Sequence, residues 1–247
     1  MRININEFKK VLKKATINFS LETVQLHFDR ERIKCKMTSG SNNPIVILDL
    51  PNTVLPDLNS EVYFNFSEPN QSLVPYLNLI SEDEAEIDLK EQKIVLKVGD
   101  QKSNIFFCSP EIVRVFPRDM ARSDIQYFVE YPIDEGFMEK YSNLKKIGPR
   151  FNKVYFTTES GELFMETTDK SNRYANSFRF SMVNDIEMSD VSLCFDYKNI
   201  ANIFISLDSY EGFVIKLTYA SDRNLGMLHL SKGNTENYFL MSKVDIS

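Results

Sequence analysis

Tryptophan is absent from this chain of 247 residues, histidine occurs twice and cysteine three times, and each scarcity removes a class of chemistry. His27 and His229 both sit in alternating strand-like stretches. No motif supplies the base, orienter and nucleophile that histidine or cysteine catalysis needs. Cys35, Cys108 and Cys194 are odd in number, far apart and each set in an apolar run. They read as buried, reduced thiols in a reducing compartment. Without a C-x-x-C pair or clustered histidines, a zinc site has no ligands. Eight glycines and nine prolines are too few for low complexity or long flexible linkers. No apolar run approaches the roughly 18 residues of a membrane-spanning helix, and MRININEFKK lacks the apolar core of a secretion signal, so a soluble, unsecreted, cytoplasmic protein is expected. Neither G-x-x-x-x-G-K-[ST] nor G-x-G-x-x-G occurs, which removes a nucleotide phosphate loop. The acidic run SEDEAE at 81–86 lacks the order of a calcium loop and reads as solvated surface. No metal, cofactor or catalytic residue is therefore expected. An enzyme would have to draw its carboxylates from scattered positions, as in a metal-dependent nuclease.

Hydrophobic residues make up 43% of the chain, which is enough for a sizeable core, and the Phe/Tyr/Ile/Val bias favours strands. The formal net charge is −6, yet Lys9, Lys10, Lys13 and Lys14 crowd one stretch, 6–15. At helical spacing these lysines share one broad face, with Phe8, Val11, Leu12 and Ala15 on the other and Glu7 near the N-terminus, where the helix dipole favours an anion. An acidic chain that segregates cations in this way would attract a polyanion along one face. A solvated amphipathic helix carries the same pattern.

The first helix precedes three strands (24–30, 32–39, 44–51), then a strand (61–67), a helix (68–80) and three more strands drawn from AEIDLKE, KIVLKVGD and SNIFFCS. In the second helix Leu73, Tyr76, Leu77 and Ile80 form the inward face, and Pro75 is a cost. Residues 109–124 hold two prolines and mixed charge without a period and read as a connector. From 125 the order restarts with a strand (IQYFVEYP), then a helix (134–148) started by Asp134 and stopped by Gly148 and Pro149. Three strands follow, then VSLCFDY, a helix (198–207) with Ile200, Ile203, Phe204 and Leu207 inward, and three closing strands. The two halves share one syntax. A period of about 125 residues predicts two pseudo-symmetric α+β domains, each with two helices on antiparallel sheets, at 1–108 and 125–247 joined by 109–124.

With the lysine-rich first helix, this doubled order and the segment YFNFSEPNQSLVPYLNLISEDEAEIDLKEQKIVLKVGDQKSNIFFCS, the chain resembles the DNA polymerase sliding clamps. The type is the two-domain one of tailed bacteriophages and, more distantly, of proliferating cell nuclear antigen. The resemblance implies a non-enzymatic homotrimeric ring of six domains, its helices around a central hole through which duplex DNA passes without base-specific contact, in the host cytoplasm if phage-encoded. It implies DNA-facing cations at Lys9, Lys10, Lys13 and Lys14, at Lys140, Lys145, Lys146 and Arg150 by the duplication, and at Lys198. Lysine suits a sliding contact, because its point charge lacks the bidentate fork that holds Arg to one phosphate. Subunits would join through edge strands bearing Ile105, Phe106 and Phe107 on one side and Tyr174, Phe178 and Phe180 on the other. An apolar pocket for peptides of the polymerase and of a separate clamp loader would draw on Met37, Val113, Val115, Phe116, Met241 and Val244. Ordinary core strands and a sealed domain junction explain the same apolar residues. A monomeric polymerase accessory factor, binding DNA through one basic face, shares the syntax.

Overall fold

The computed structural model describes residues 1–39, 43–116, 125–172, 175–186, 191–220 and 224–246, the stretch 243–246 by its backbone alone. The chain divides into two compact units: the first is Met1–Arg118 with Ile205–Asp208 and Asn234–Glu236, and the second is the remainder.

In the first unit the order is β1 (Arg2–Asn4), α1 (Ile5–Ala15), β2 (Thr23–Phe28), β3 (Arg32–Thr38), β4 (Ile45–Pro51), β5 (Val62–Ser67), α2 (Pro69–Ser72), α3 (Val74–Asn78), β6 (Glu84–Lys90), β7 (Lys93–Val98) and β8 (Gln101–Phe106). Its strands form two antiparallel arrays, β1-β6-β7-β8 and β4-β3-β2-β5. Residues alternate between exposed and buried along β2, β3 and β6, so each array turns one apolar face inward. Phe8 of α1 fills the space beneath, its ring 6.1 to 6.5 Å from those of Phe28, Phe64 and Phe66. Aromatic rings meeting edge-on add to the burial that holds helix to sheet.

The second unit repeats this with β9 (Val129–Pro132), α4 (Glu135–Ile147), β10 (Lys153–Glu159), β11 (Glu162–Thr167), β12 (Phe178–Val183), β13 (Val191–Asp196), α5 (Tyr197–Ser206), β14 (Val214–Ala220), β15 (Leu225–Lys232) and β16 (Glu236–Ile246). Its strands run β9-β14-β15-β16 and β12-β11-β10-β13. Strand for strand, β1 pairing β6 is matched by β9 pairing β14, and β2 pairing β5 by β10 pairing β13. The duplication is therefore one of topology. Phe137 takes the place of Phe8, with Tyr141 and Phe204 stacked at 6.0 Å and Phe180 edge-on at 6.2 Å.

Several expectations need correction. The helix expected at 68–80 is two short helices, broken at Leu73 (φ −125°), with Pro75 in the first turn of the second, where its missing N–H costs nothing. The break rotates the second piece, so Leu73 and Leu77 stay buried while Tyr76, expected inward, is exposed. β1, three residues long, gave too short a pattern to notice, and β9 begins four residues later than IQYFVEYP implies. Gly148 does end α4, but its φ of −49° needs no glycine. What needs it is Tyr197, whose ring lies where a Cβ would stand. Of the connector, 117–124 lies outside the described residues. Its first part is held to β3: Thr38 donates to the Arg114 carbonyl at 3.1 Å and Phe116 donates to that of Lys36 at 2.9 Å.

Candidate nucleic-acid interface

α1 starts where Asn4 Oδ1 accepts from the Glu7 amide at 3.0 Å, an N-cap, and it places Glu7 in its first turn and Lys13 and Lys14 in its last, both favourable to the helix dipole. Ile5, Phe8, Val11, Leu12 and Ala15 are buried, so the lysines share the remaining surface. They do not share one role. Lys9 and Lys13 have no ion-pair partner among the described residues, and Lys10 reaches back 2.7 Å to Glu7, whose hydrogen bond raises its pKa. Lys14 departs from the sequence reading. Its side chain is only 11% exposed, with Asp208 at 2.9 Å and Glu236 at 3.0 Å, all within the first unit. Burial works against its charge, but the hydrogen bonds and field of the two carboxylates outweigh it and hold the pKa above normal. A lysine so enclosed is a structural ion pair, not a free cation.

α4 is capped in the same way, Asp134 Oδ1 accepting from the Phe137 amide at 2.7 Å, and buries Phe137, Tyr141 and Leu144. Lys140, Lys145, Lys146 and, just past the helix, Arg150 are exposed, as is Lys198 in the first turn of α5. Lys146 donates to Asn143 at 3.1 Å. Lys140 leans towards β12, donating to the Ser181 carbonyl at 3.3 Å with its ammonium 5.9 Å from the Phe180 ring centre.

The two strands expected at a subunit junction, β8 and β12, each end a sheet in their own unit. Phe106 is 67% exposed and Ile105 is buried. Phe107 belongs to its own core, its ring 5.4 Å from Phe64 and 5.7 Å from Phe66. Phe178 and Phe180 are half-buried, their rings 6.1 Å apart, and Tyr174 lies outside the described residues.

Of the expected pocket residues, Met37, Val113, Val115 and Phe116 belong to the first unit and Met241 and Val244 to the second. Met37 is fully buried in β3 and bridges Val115; Val113 and Phe116 are buried, Val115 exposed, and Val244 is described only as the backbone partner of Leu193. Met241 alone lines a groove, of about 420 Å³, in the second unit with Ile125, Tyr219, Leu225 and Met227. No sequence pattern marks those four, because they come from the segment before β9 and both arms of the β14–β15 hairpin.

Among the described residues no group of three metal-binding side chains occurs, and no helix is long and apolar enough to cross a membrane. His27 stacks on Tyr63 at 4.3 Å, and Glu61 lies 3.2 Å from its Nε2. His229 is buried between strands, where Nδ1 accepts from the Tyr127 hydroxyl at 2.7 Å and Nε2 donates to Asn237 at 2.9 Å. Burial pushes its pKa down to about 4, so both ring nitrogens are occupied in a neutral imidazole. Burial also pushes the Cys35 thiol up, away from thiolate reactivity.

No protein-family model matches the sequence, and no curated protein matches it by sequence. Solved structures do match by shape: the chain has the fold of the DNA sliding clamps. The PCNA of A. fulgidus, solved with the C-terminal region of FEN-1, superposes with a TM-score of 0.66 at 15% identity, over 100% of this chain and 98% of that one. A PCNA2–PCNA3 complex from Sulfolobus tokodaii gives 0.61 at 12% identity, over 100% of both. The Bacillus subtilis DNA polymerase sliding clamp gives 0.69 at 10% identity, and this chain covers 63% of its length. By coverage, the fold is the two-domain, PCNA-like form.

Proposed function

We propose that this chain is a DNA sliding clamp, a homotrimeric ring that encircles duplex DNA and tethers a polymerase to it. One observation carries the reading: a PCNA-like fold in a chain of net charge −6 bears lysines on the solvent side of α1, Lys10 exposed and Lys9 and Lys13 half-buried, and exposed lysines again on its topological equivalent α4. Cations on helices that a clamp turns to its hole provide diffuse attraction to phosphates, and acidic charge elsewhere discourages contact from outside. The DNA-facing set is Lys9, Lys10, Lys13, Lys145, Lys146, Arg150 and Lys198, with Lys140 at its margin.

The free edges of β8 and β12 support head-to-tail closure, since an unpaired strand edge is a ready template for another chain. The Met241 groove suits a short apolar peptide of a polymerase or loader. That an A. fulgidus PCNA was solved with a FEN-1 segment and a Helicobacter pylori beta clamp with a DNA ligase peptide is in keeping with this. The absence of a phosphate-loop motif assigns ring opening to a separate loader.

Light scattering over a dilution series tests the ring. A mass rising to three times 28.7 kDa is expected. A single-chain mass at every concentration contradicts the ring and favours a monomeric accessory factor.

A further inference from the structure

One face of the β14–β15–β16 array carries two features side by side. Lys216, Thr218 and Ala220 of β14 stand directly opposite His229, Met227 and Leu225 of β15, and alternation along β16 adds Asn237, Phe239 and Met241. At one end Ala220, Leu225, Met227 and Met241 line the groove, and at the other Lys216, His229 and Asn237 form a polar cluster. Segment 125–128 joins the two. It precedes β9 and belongs to no strand, and its first residues, Ile125 and Gln126, are a wall of the groove. Thr218 Oγ1 donates to the Gln126 carbonyl at 2.6 Å, and the Phe128 amide donates to the Leu217 carbonyl at 3.0 Å. Between these ties the Tyr127 hydroxyl donates to His229 Nδ1 at 2.7 Å. The imidazole is itself fixed: Nε2 donates to Asn237 at 2.9 Å and the ring stacks on Phe239 at 4.2 Å. Leucine at 229 would bury as well, but it offers no acceptor. Burial, helped by the Lys216 ammonium and opposed by Asn237 and Glu130, keeps the ring neutral, so Nδ1 stays an acceptor. Lys216 also lies 5.3 Å from the centre of the Tyr127 ring while pairing with Glu130 at 3.1 Å.

We propose that His229 is a positioning residue for the Met241 groove: through Tyr127 it holds the Ile125–Gln126 wall at the spacing that admits an apolar peptide. The inference rests on the peptide-groove reading and deepens it. A wall fixed in advance spares the peptide the cost of ordering it. Without the Tyr127 hydroxyl, or without an acceptor at 229, one member of the pair is left buried and unsatisfied, and the strandless segment is the part free to shift.

The test uses the full chain, labelled with carbon-13 at the methionine methyls, and its variants Tyr127→Phe, His229→Gln and His229→Asn. Met227 and Met241 report the groove, and Met165, fully buried in β11, is the control. Tyr127→Phe and His229→Gln are expected to move both groove signals, leave Met165 in place and speed hydrogen exchange at the Phe128 amide about tenfold or more. Their double variant should exchange no faster than either single, because the two groups act as one unit. His229→Asn, whose amide oxygen can stand where Nδ1 does, should restore the groove signals and keep exchange within about threefold of the unaltered chain. Groove signals and Phe128 exchange that stay put in folded Tyr127→Phe, even with a lowered melting temperature, overturn the inference, and so does a His229→Asn chain as disturbed as His229→Gln. Should His229→Gln fail to fold, Tyr127→Phe carries the same test. No peptide enters the measurement, so a groove shaped by His229 that takes up no apolar peptide removes the peptide reading and leaves the positioning role.

Discussion

Reversal of Lys9 and Lys13 to Glu is expected to weaken association with duplex DNA by about tenfold or more at low salt and to flatten its salt dependence. Each lysine that engages a phosphate displaces a condensed counterion and contributes roughly 1 to the slope of log affinity against log salt. Both side chains are half-buried on the solvent side of α1 and neither has an ion-pair partner among the described residues, so the change breaks no ion pair inside the fold. Its local cost is small, since an anion in the last turn opposes the helix dipole by about 0.3 to 1 kcal/mol. Filter binding or anisotropy across a salt series gives the slope, and thermal melting confirms that the variant is folded. An unchanged slope in a folded protein would show that this face does not meet DNA.

Lys14→Met should do the opposite: it should cost about 3 kcal/mol of stability, the scale of breaking a buried ion pair, and leave the salt slope of DNA binding in place. The Lys14 side chain is 11% exposed and serves two carboxylates; Asp208 is 44% exposed, but Glu236 is only 8% exposed, so water screens the Glu236 pairing weakly. Urea unfolding measures the loss. Adding Glu236→Gln should recover part of it, because the neutral amide no longer requires a counter-charge, and the double-mutant cycle isolates the coupling. A Lys14→Met protein as stable as the parent, but impaired on DNA, would return Lys14 to the cationic face.

These two predictions separate neighbouring lysines that the sequence presents as equals. The periodicity of 6–15 was enough to find α1 and its buried side, because a 3.6-residue repeat is local. The fate of Lys14 is not local: it is decided by Glu236, 222 positions away. The same division runs through the rest. The strand order and its duplication were legible because alternation and turn residues recur within each half, whereas the split at Leu73 depended on where a flagged proline would fit. Ile105 and Phe107 both turn inward while Phe106 turns out, which two-residue alternation across 105–107 could have shown; reading all three as one interface ignored it. The groove around Met241 was hidden, because its walls come from segments that meet only after the hairpin forms.

The most direct test is the rate at which individual lysines are acetylated, read by mass spectrometry, in the assembled protein with and without linear duplex DNA at low salt. The account predicts slower reaction at Lys9, Lys13, Lys145 and Lys146, with Lys90 and Lys93 unchanged. Protection at Lys90 and Lys93, with the helix lysines reacting as fast as in free protein, would contradict it.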